Sequence, residues 1–380
     1  MSFMRRNHEH CRLWHISSNR WNSAITEYAL SSARSLAKRG FKSTFSPLKG
    51  SPAEKRAQEY GLDTRSISSF SITKWKALKG LAQDIRPDII FTYGGPETSL
   101  AQLLSMTSQN KKAVIVRFRG QDVDSSPFLS KWRFGWSHRI VDLVISPSPT
   151  LTKKIEQTFL KCPVKTVVLG CDESVFSPAH TKAPLNLSIN RPDIIILGRL
   201  DPVKGHENAI EFMRGLLKKW PQEIAKKPRL HIIGEPANLS KETLIRWVKQ
   251  NELCLGDDVI LTSERVSNIA SYLSKAVFGF IPSTGSEIIC RVAHEFLLCG
   301  TPIVVSGVGS LDDAISDHAG HGYSYKSLTF DETIDLLVKA SLQYITESED
   351  VHRERAAIAK SLFSLEAMGK NLEKCLEEFL

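Results

Sequence analysis

The sequence predicts an α/β chain built from two doubly wound parallel sheets. Short apolar runs, too brief for a helix and suited to buried strands, recur along its whole length. Each run closes in a loop carrying glycine, serine or asparagine and then opens a stretch with helical spacing, the alternation that builds parallel sheets. At 380 residues the chain has room for two sizeable cores, and the polar stretch at 179–192 is placed to link them.

In the first half, Leu13-Trp14-His15-Ile16 reads as the opening strand. A helix is expected over about 24–39, with apolar positions at Ile25, Tyr28, Ala29, Leu36 and Ala37. The loop between them contains Asn22, which tolerates unusual backbone angles, and the small Ser23, so the chain can approach a bound molecule there. Ile89-Ile90-Phe91 is a further strand, and Gly94-Gly95-Pro96-Glu97 a tight turn into a helix, with Gly95 a candidate cleft residue. A strand at 113–116 runs into Arg117-Phe118-Arg119-Gly120-Gln121-Asp122. Arg119 and Asp122 then stand at a strand end, where open α/β sheets bind ligands. A strand over 141–146, a helix over about 150–159 and a strand at 166–168 complete this half.

The second half opens with the strand Ile194-Ile195-Ile196-Leu197. It stops at Gly198-Arg199, passes through Lys204-Gly205-His206, and continues as a helix over about 207–220. A glycine loop carrying Arg and Lys between strand and helix suits a diphosphate, since Arg offers a planar fork and Lys a mobile point charge. A strand at 230–233 leads to Gly234-Glu235, and Arg265-Val266 lies in a later loop. Both of these loops also read as ordinary connections. Next comes Pro282-Ser283-Thr284-Gly285-Ser286-Glu287, then Ile288-Ile289-Cys290 and Glu295, ahead of Gly300-Thr301-Pro302 and the strand Ile303-Val304-Val305. Two carboxylates thus bracket a turn and the opening of a helix. The unpaired N–H groups of a helix start suit a phosphate, and flanking carboxylates accept hydrogen bonds from hydroxyls. Two solvated glutamates on a surface helix would be the plainer reading, but the Arg–Lys loop upstream argues against it. Residues 350–379 read as terminal helices.

The 282–303 pattern, with the loop before it, resembles the retaining glycosyltransferases of family 4 (glycosyl transferases group 1). The matching residues are Gly198-Arg199, Lys204-Gly205, Pro282-Ser283, Glu287, Glu295 and Gly300-Thr301-Pro302-Ile303. Leu169-Gly170-Cys171-Asp172 with Phe176-Ser177-Pro178 is similar to the hinge of that family. The resemblance is specific over about 193–315 and looser before it. It implies the GT-B fold, two doubly wound Rossmann-like domains facing a central cleft. Residues 1–178 would bind the acceptor, 179–357 the nucleotide sugar, and 358–380 would form a helix packing back on the first domain. It further implies that Arg199 and Lys204 hold the leaving diphosphate, that Glu287 meets the transferred sugar and that Glu295 meets the ribose. Arg199, Lys204 and Glu287 form the catalytic set. Gly198, Gly234, Arg265, Ile288, Ile289 and Cys290 complete the donor side, and Asn22, Ser23, Gly95, Arg119 and Asp122 are the acceptor or cleft candidates. The chain departs from the family at 288–290, where relatives carry Gly-Phe-Gly, and at the loop after the first strand, where they carry paired glycines.

The implied reaction moves a hexosyl unit from a UDP- or GDP-linked sugar to a glycan or lipid-linked glycan, as in lipopolysaccharide or other surface polysaccharide synthesis, with no metal and no further cofactor. A sugar-nucleotide 2-epimerase and an inactive nucleotide-sugar binder are the rival readings. Composition agrees with a soluble protein: 42% hydrophobic and 24% charged. No apolar run nears the roughly 20 residues that span a bilayer. The first residues lack the apolar core of a signal peptide, and seven dispersed cysteines suit reduced thiols in the cytoplasm. The net charge of +9 is asymmetric. Residues 1–172 hold 27 Lys+Arg against 13 Asp+Glu, and the remainder 23 against 28. Tryptophans interleave with the basic residues in Lys74-Trp75-Lys76-Ala77-Leu78-Lys79 and in Lys131-Trp132-Arg133-Phe134-Gly135-Trp136-Ser137-His138-Arg139. These segments fit either an anionic membrane surface or a solvated face over core tryptophans. No nucleic-acid-binding motif accompanies the charge, and a monomer, peripheral at the inner membrane face, is expected.

Overall fold

The computed structural model describes residues 10–70, 75–107, 113–122, 140–158, 160–178, 191–224, 226–285, 287–315 and 321–380. The segment at 131–139 and Lys74 lie outside the described residues. Two compact units form, one of Met1–Gly170 with Leu362–Leu380 and the other of Cys171–Ser361.

Among the described residues the first unit carries seven strands: β1 (Arg12–Ser17), β2 (Lys42–Pro47), β3 (Asp63–Thr64), β4 (Ile89–Thr92), β5 (Val114–Phe118), β6 (Leu143–Ser146) and β7 (Val164–Thr166). They pair in parallel in the order β3-β2-β1-β4-β5-β6-β7. The order reverses between β1 and β4, and that is the switch point of an open α/β sheet. Leu13, Trp14, His15 and Ile16 are all fully buried, as expected of a central strand covered on both faces. The helices are α1 (Ala24–Lys38), α2 (Pro52–Glu59), α3 (Trp75–Ile85), α4 (Gly95–Thr107) and α5 (Pro149–Glu156). α1 starts where Ser23 Oγ accepts from Thr26 N at 3.2 Å, and Ser148 caps α5 in the same way. The expected helix at 150–159 therefore begins one residue early and stops at Glu156, while the strand expected at 166–168 is formed by Val164–Thr166. The terminal helix Leu365–Leu376 packs on α1. Its start is set by Ser364, whose hydroxyl caps Ala367 N at 3.0 Å and breaks the terminal helical stretch in two.

The second unit carries six parallel strands: β8 (Asp193–Leu197), β9 (Arg229–Ile233), β10 (Val259–Thr262), β11 (Phe278–Ile281), β12 (Ile303–Val305) and β13 (Gly322–Ser324). Their order is β10-β9-β8-β11-β12-β13, with the reversal between β8 and β11. The helices are α6 (His206–Lys219), α7 (Lys241–Gln250), α8 (Ile269–Leu273), α9 (Arg291–Leu298), α10 (Phe330–Ile345) and α11 (Glu349–Phe363). The core gathers Ile194, Ile196, Ile210, Leu216, Phe278 and Leu337, and each such side chain contributes about 1.5–3 kcal/mol by leaving water. At the amino end of the sheet, Arg229 Nε donates to Asp193 Oδ1 at 2.7 Å within the core. Among the described residues no helix is long and apolar enough to cross a membrane, and none of the seven cysteines is in a disulfide.

Candidate functional site

The switch point of the second sheet brings the loops after β8 and β11 together. After β8 the chain passes Gly198 and Arg199 and makes a single 3-10 turn over Pro202–Lys204. Asp201 fixes this turn: one carboxylate oxygen accepts from Val203 N at 3.1 Å and the other from Asn238 Nδ2 at 2.7 Å. Gly205 follows with φ 71°, and a Cβ there would collide with the Pro282 carbonyl. Only glycine meets both demands, the left-handed backbone and the close approach. The two loops are then tied directly, because Thr284 N donates to Val203 O at 2.8 Å.

That approach sets Lys204 against Glu287. Lys204 Nζ bonds Glu287 Oε1, and Ser283 Oγ donates to the same oxygen at 2.7 Å. Ser283 is itself held by Ser306 Oγ, which donates to its carbonyl at 2.6 Å. The Glu287 main chain is fixed as well, since Ser310 N donates to its carbonyl at 2.7 Å. With Glu287 only 8% exposed, this carboxylate and ammonium form a charge-assisted pair at the edge of the core. Removing either partner would leave the other under-solvated.

Three residues beyond Glu287, Cys290 is the residue before α9 and takes φ 52°, a left-handed conformation that favours glycine. The family pattern has glycine at this position, so the departure read from sequence falls on a backbone site that still keeps the glycine conformation. Ile289 and Cys290 are buried and Ile288 half-buried, so the bulk added at 289 and 290 turns into the protein. Burial, with help from Glu287, pushes the Cys290 thiol well above its ordinary range. In the first turn of α9, Arg291 Nε bonds Glu295 Oε1 at 2.6 Å, and Glu295 is 3% exposed. The open N–H groups of this first turn, with Arg291 beside them, make an electropositive end suited to an anion.

The other residues singled out from sequence fall into place around this core or away from it. Gly234 lies against Gly198, whose carbonyl would collide with a Cβ at 234. The Arg199 side chain is exposed, and its carbonyl is bonded by His206 Nε2 at 3.0 Å. Burial lowers the pKa of His206, so this imidazole is neutral and acts as a support for the loop. Arg265 is exposed on the loop after β10. In the first unit, Asn22 Oδ1 accepts from Arg56 Nη1 at 3.2 Å and Ser23 serves as the α1 cap. Gly95 is the exposed first residue of α4. Arg119 Nη2 donates to the Asp122 carbonyl at 3.1 Å, and the Asp122 carboxylate pairs with Lys154 at 2.8 Å. Sequence reasoning assigned no role to Asp201, Ser306 or Arg291. For Arg291 a signal was present, because it precedes Glu295 by one helical turn.

Residues 180–360 match the family model described as glycosyl transferases group 1. A D-inositol 3-phosphate glycosyltransferase of Acidothermus cellulolyticus is 29% identical over 159 residues, which cover 40% of this chain and 35% of that protein. The chain thus spans about a third of the length of the curated relatives it matches. Among solved structures, HepE of Anabaena in complex with UDP superposes with a TM-score of 0.78 at 13% identity, covering 97% of this chain and all of that one. The lipopolysaccharide outer core galactosyltransferase WaaB superposes with a TM-score of 0.70 at 12% identity, covering 97% of this chain and 99% of that one. The chain thus has the GT-B fold, and its residues 180–360 match the glycosyl transferases group 1 family model.

Proposed function

We propose that the protein is a retaining glycosyltransferase that moves a hexosyl unit from a UDP-linked sugar to a glycan or lipid-linked glycan acceptor without a metal. The observation that carries this reading is the Lys204–Glu287–Ser283 cluster beside the start of α9, one helix N-terminus away from the buried Glu295. Lys204, Arg199 and the open N–H groups of α9 would stabilise the negative charge that builds on the departing diphosphate. Glu287 would accept hydrogen bonds from the hydroxyls of the transferred sugar, and Glu295 from the ribose diol. The choice of UDP rests on the Anabaena structure, which holds UDP, and surface polysaccharide synthesis on the fold shared with WaaB. The basic first half suits an anionic acceptor or the inner membrane face.

Incubation with UDP- and GDP-hexoses in the absence of any acceptor tests this reading. A transferase leaks slowly to water, releasing nucleoside diphosphate and free sugar. That release should fall about 100-fold or more when Glu287 is replaced by Gln. An epimerised nucleotide sugar with no diphosphate release would instead identify an isomerase, and binding without either product an inactive binder.

A further inference from the structure

The switch point of the first sheet carries its own cluster of charged groups. Arg117 on β5 stands beside Thr92 of β4 in the parallel register. It is 6% exposed, and among the described residues its Nε and Nη1 have no hydrogen-bond partner. Glu97, in the first turn of α4, is 1% exposed. Its Oε1 accepts from Ser18 N, just past β1, at 2.6 Å, whereas Oε2 has no partner. Gly94 makes room for this carboxylate, since a Cβ there would collide with it. Burial lowers the Arg117 pKa to about 10, with the Glu97 charge opposing that fall and Arg119 adding to it.

Buried arginines here differ in how far their donors are used: Arg229 keeps one donor without a hydrogen-bond partner although its guanidinium pairs with Asp193, whereas Arg355 is fully engaged. Arg355, at 3% exposed, donates to Gly300 O at 2.7 Å and to both oxygens of Glu347 at 2.7 and 2.9 Å. A buried charged donor without an acceptor is costly, and folded proteins keep few of them. Arg117 breaks that rule at the edge of the sheet where open α/β folds take ligands. The fork of an arginine fits phosphate oxygens, a neighbouring carboxylate fits hydroxyls, and the excess of basic residues in this half favours an anion's approach.

We propose that Arg117 binds a phosphate carried by the acceptor, with Glu97 receiving the hydroxyls next to it, so that the acceptor is a phosphorylated polyol or sugar. This inference rests on the transferase reading for the word acceptor, while the anion site itself does not.

The test follows the Arg117 Nε–H resonance of the full-length nitrogen-15-labelled protein, assigned by its loss in Arg117→Lys. The probes are D-inositol 3-phosphate, inositol and inorganic phosphate, with UDP binding measured on the same samples. The resonance should shift saturably with D-inositol 3-phosphate and stay still with inositol. Binding of the phosphate ester should weaken roughly tenfold or more in Arg117→Met, with UDP affinity unchanged. A resonance unmoved by either phosphate, or an Arg117→Met protein that binds the ester as tightly as wild type, overturns the proposal. Inorganic phosphate binding as tightly as the ester overturns the acceptor assignment. The wild-type titration stands even where Arg117→Met fails to fold. Absence of UDP binding with the Arg117 shift intact would sink the transferase reading and leave the anion site standing.

Discussion

The two sheets share one topology, and their switch points differ in how the polar groups are satisfied. In the second unit, Lys204, Glu287, Ser283 and Ser306 form a connected chain of hydrogen bonds, and Arg291 holds Glu295. In the first unit, the corresponding edge buries His15, Ser17, Glu97 and Arg117, each with at least one polar atom lacking a partner among the described residues. A connected network is pre-organised, so its groups are already aimed at charge that develops in a reaction. An incomplete set is a place where a ligand supplies what is missing. The same fold thus offers a connected frame in one unit, with His206 Nδ1 beside it lacking a partner among the described residues, and a more open set in the other.

The largest way to break this contrast is to take the connected frame apart. Replacing Lys204 by Ala should lower nucleotide-sugar turnover about 100- to 1,000-fold, with the rate of nucleoside diphosphate release as the readout. An effect below tenfold would mean that the pair is a structural tie.

Acid should separate the units next. His15 is fully buried, its Nδ1 pairs with Tyr93 Oη at 2.8 Å, and it stacks on Phe91. Burial lowers its pKa to about 3, below the 6.5 of the unfolded chain. The unfolded state therefore binds the extra proton between these values. Stability is complete above about pH 6.5 and falls by at most about 1.4 kcal/mol per pH unit down to about pH 3. Urea unfolding followed in the first unit should show this slope, and His15→Phe should flatten it. His231 in the second unit, lowered to about 4 by burial, should keep its own slope in that variant.

Smaller effects sharpen the local account. Gly205→Ala forces a Cβ into the Pro282 carbonyl at a left-handed φ, and should destabilise the second unit by about 1–3 kcal/mol in chemical denaturation. Ser23→Ala removes the α1 cap together with the hydroxyl's bonds to Asn19 and Thr26 Oγ1, and should cost about 1 kcal/mol. If Ser23→Ala instead weakened acceptor use with little change in stability, its position near the β1 edge would matter more than its cap.

The sequence made the second unit's site legible because its parts lie in two short stretches, 198–205 and 282–295, each at a strand end. Lys204 and Glu287 stood out by charge and by their place at strand ends, and the family resemblance supplied their roles. Their direct pairing could not, because it depends on how closely Gly205 approaches Pro282. The strands were readable from apolar runs, while helix ends shifted by one to a few residues wherever a cap residue such as Ser148 or Gly205 decided the boundary. The break at Ser364 was hidden within a helical pattern on both sides. In the first unit, attention to the charged strand end singled out Arg119 and Asp122, which bond to each other, and passed over Arg117. The two arginines are two residues apart, a spacing that puts both on one face of an extended strand, and only the fold shows that Arg117 lies inside β5 while Arg119 lies beyond its end. The residues of that cluster, from positions 15 to 117, are far apart in sequence and carry no local pattern.

On the proposed function, the Lys204–Glu287 frame and Glu295 would hold a nucleotide sugar. The most direct measurement is a thermal-shift series with UDP-, GDP-, ADP- and CMP-sugars on the wild type, Lys204→Ala and Glu295→Ala. Saturating ligand raises the midpoint by mass action. A rise with UDP-sugars, lost in both variants, is expected. A wild-type protein unmoved by every nucleotide sugar, or variants that retain the full rise, would contradict it.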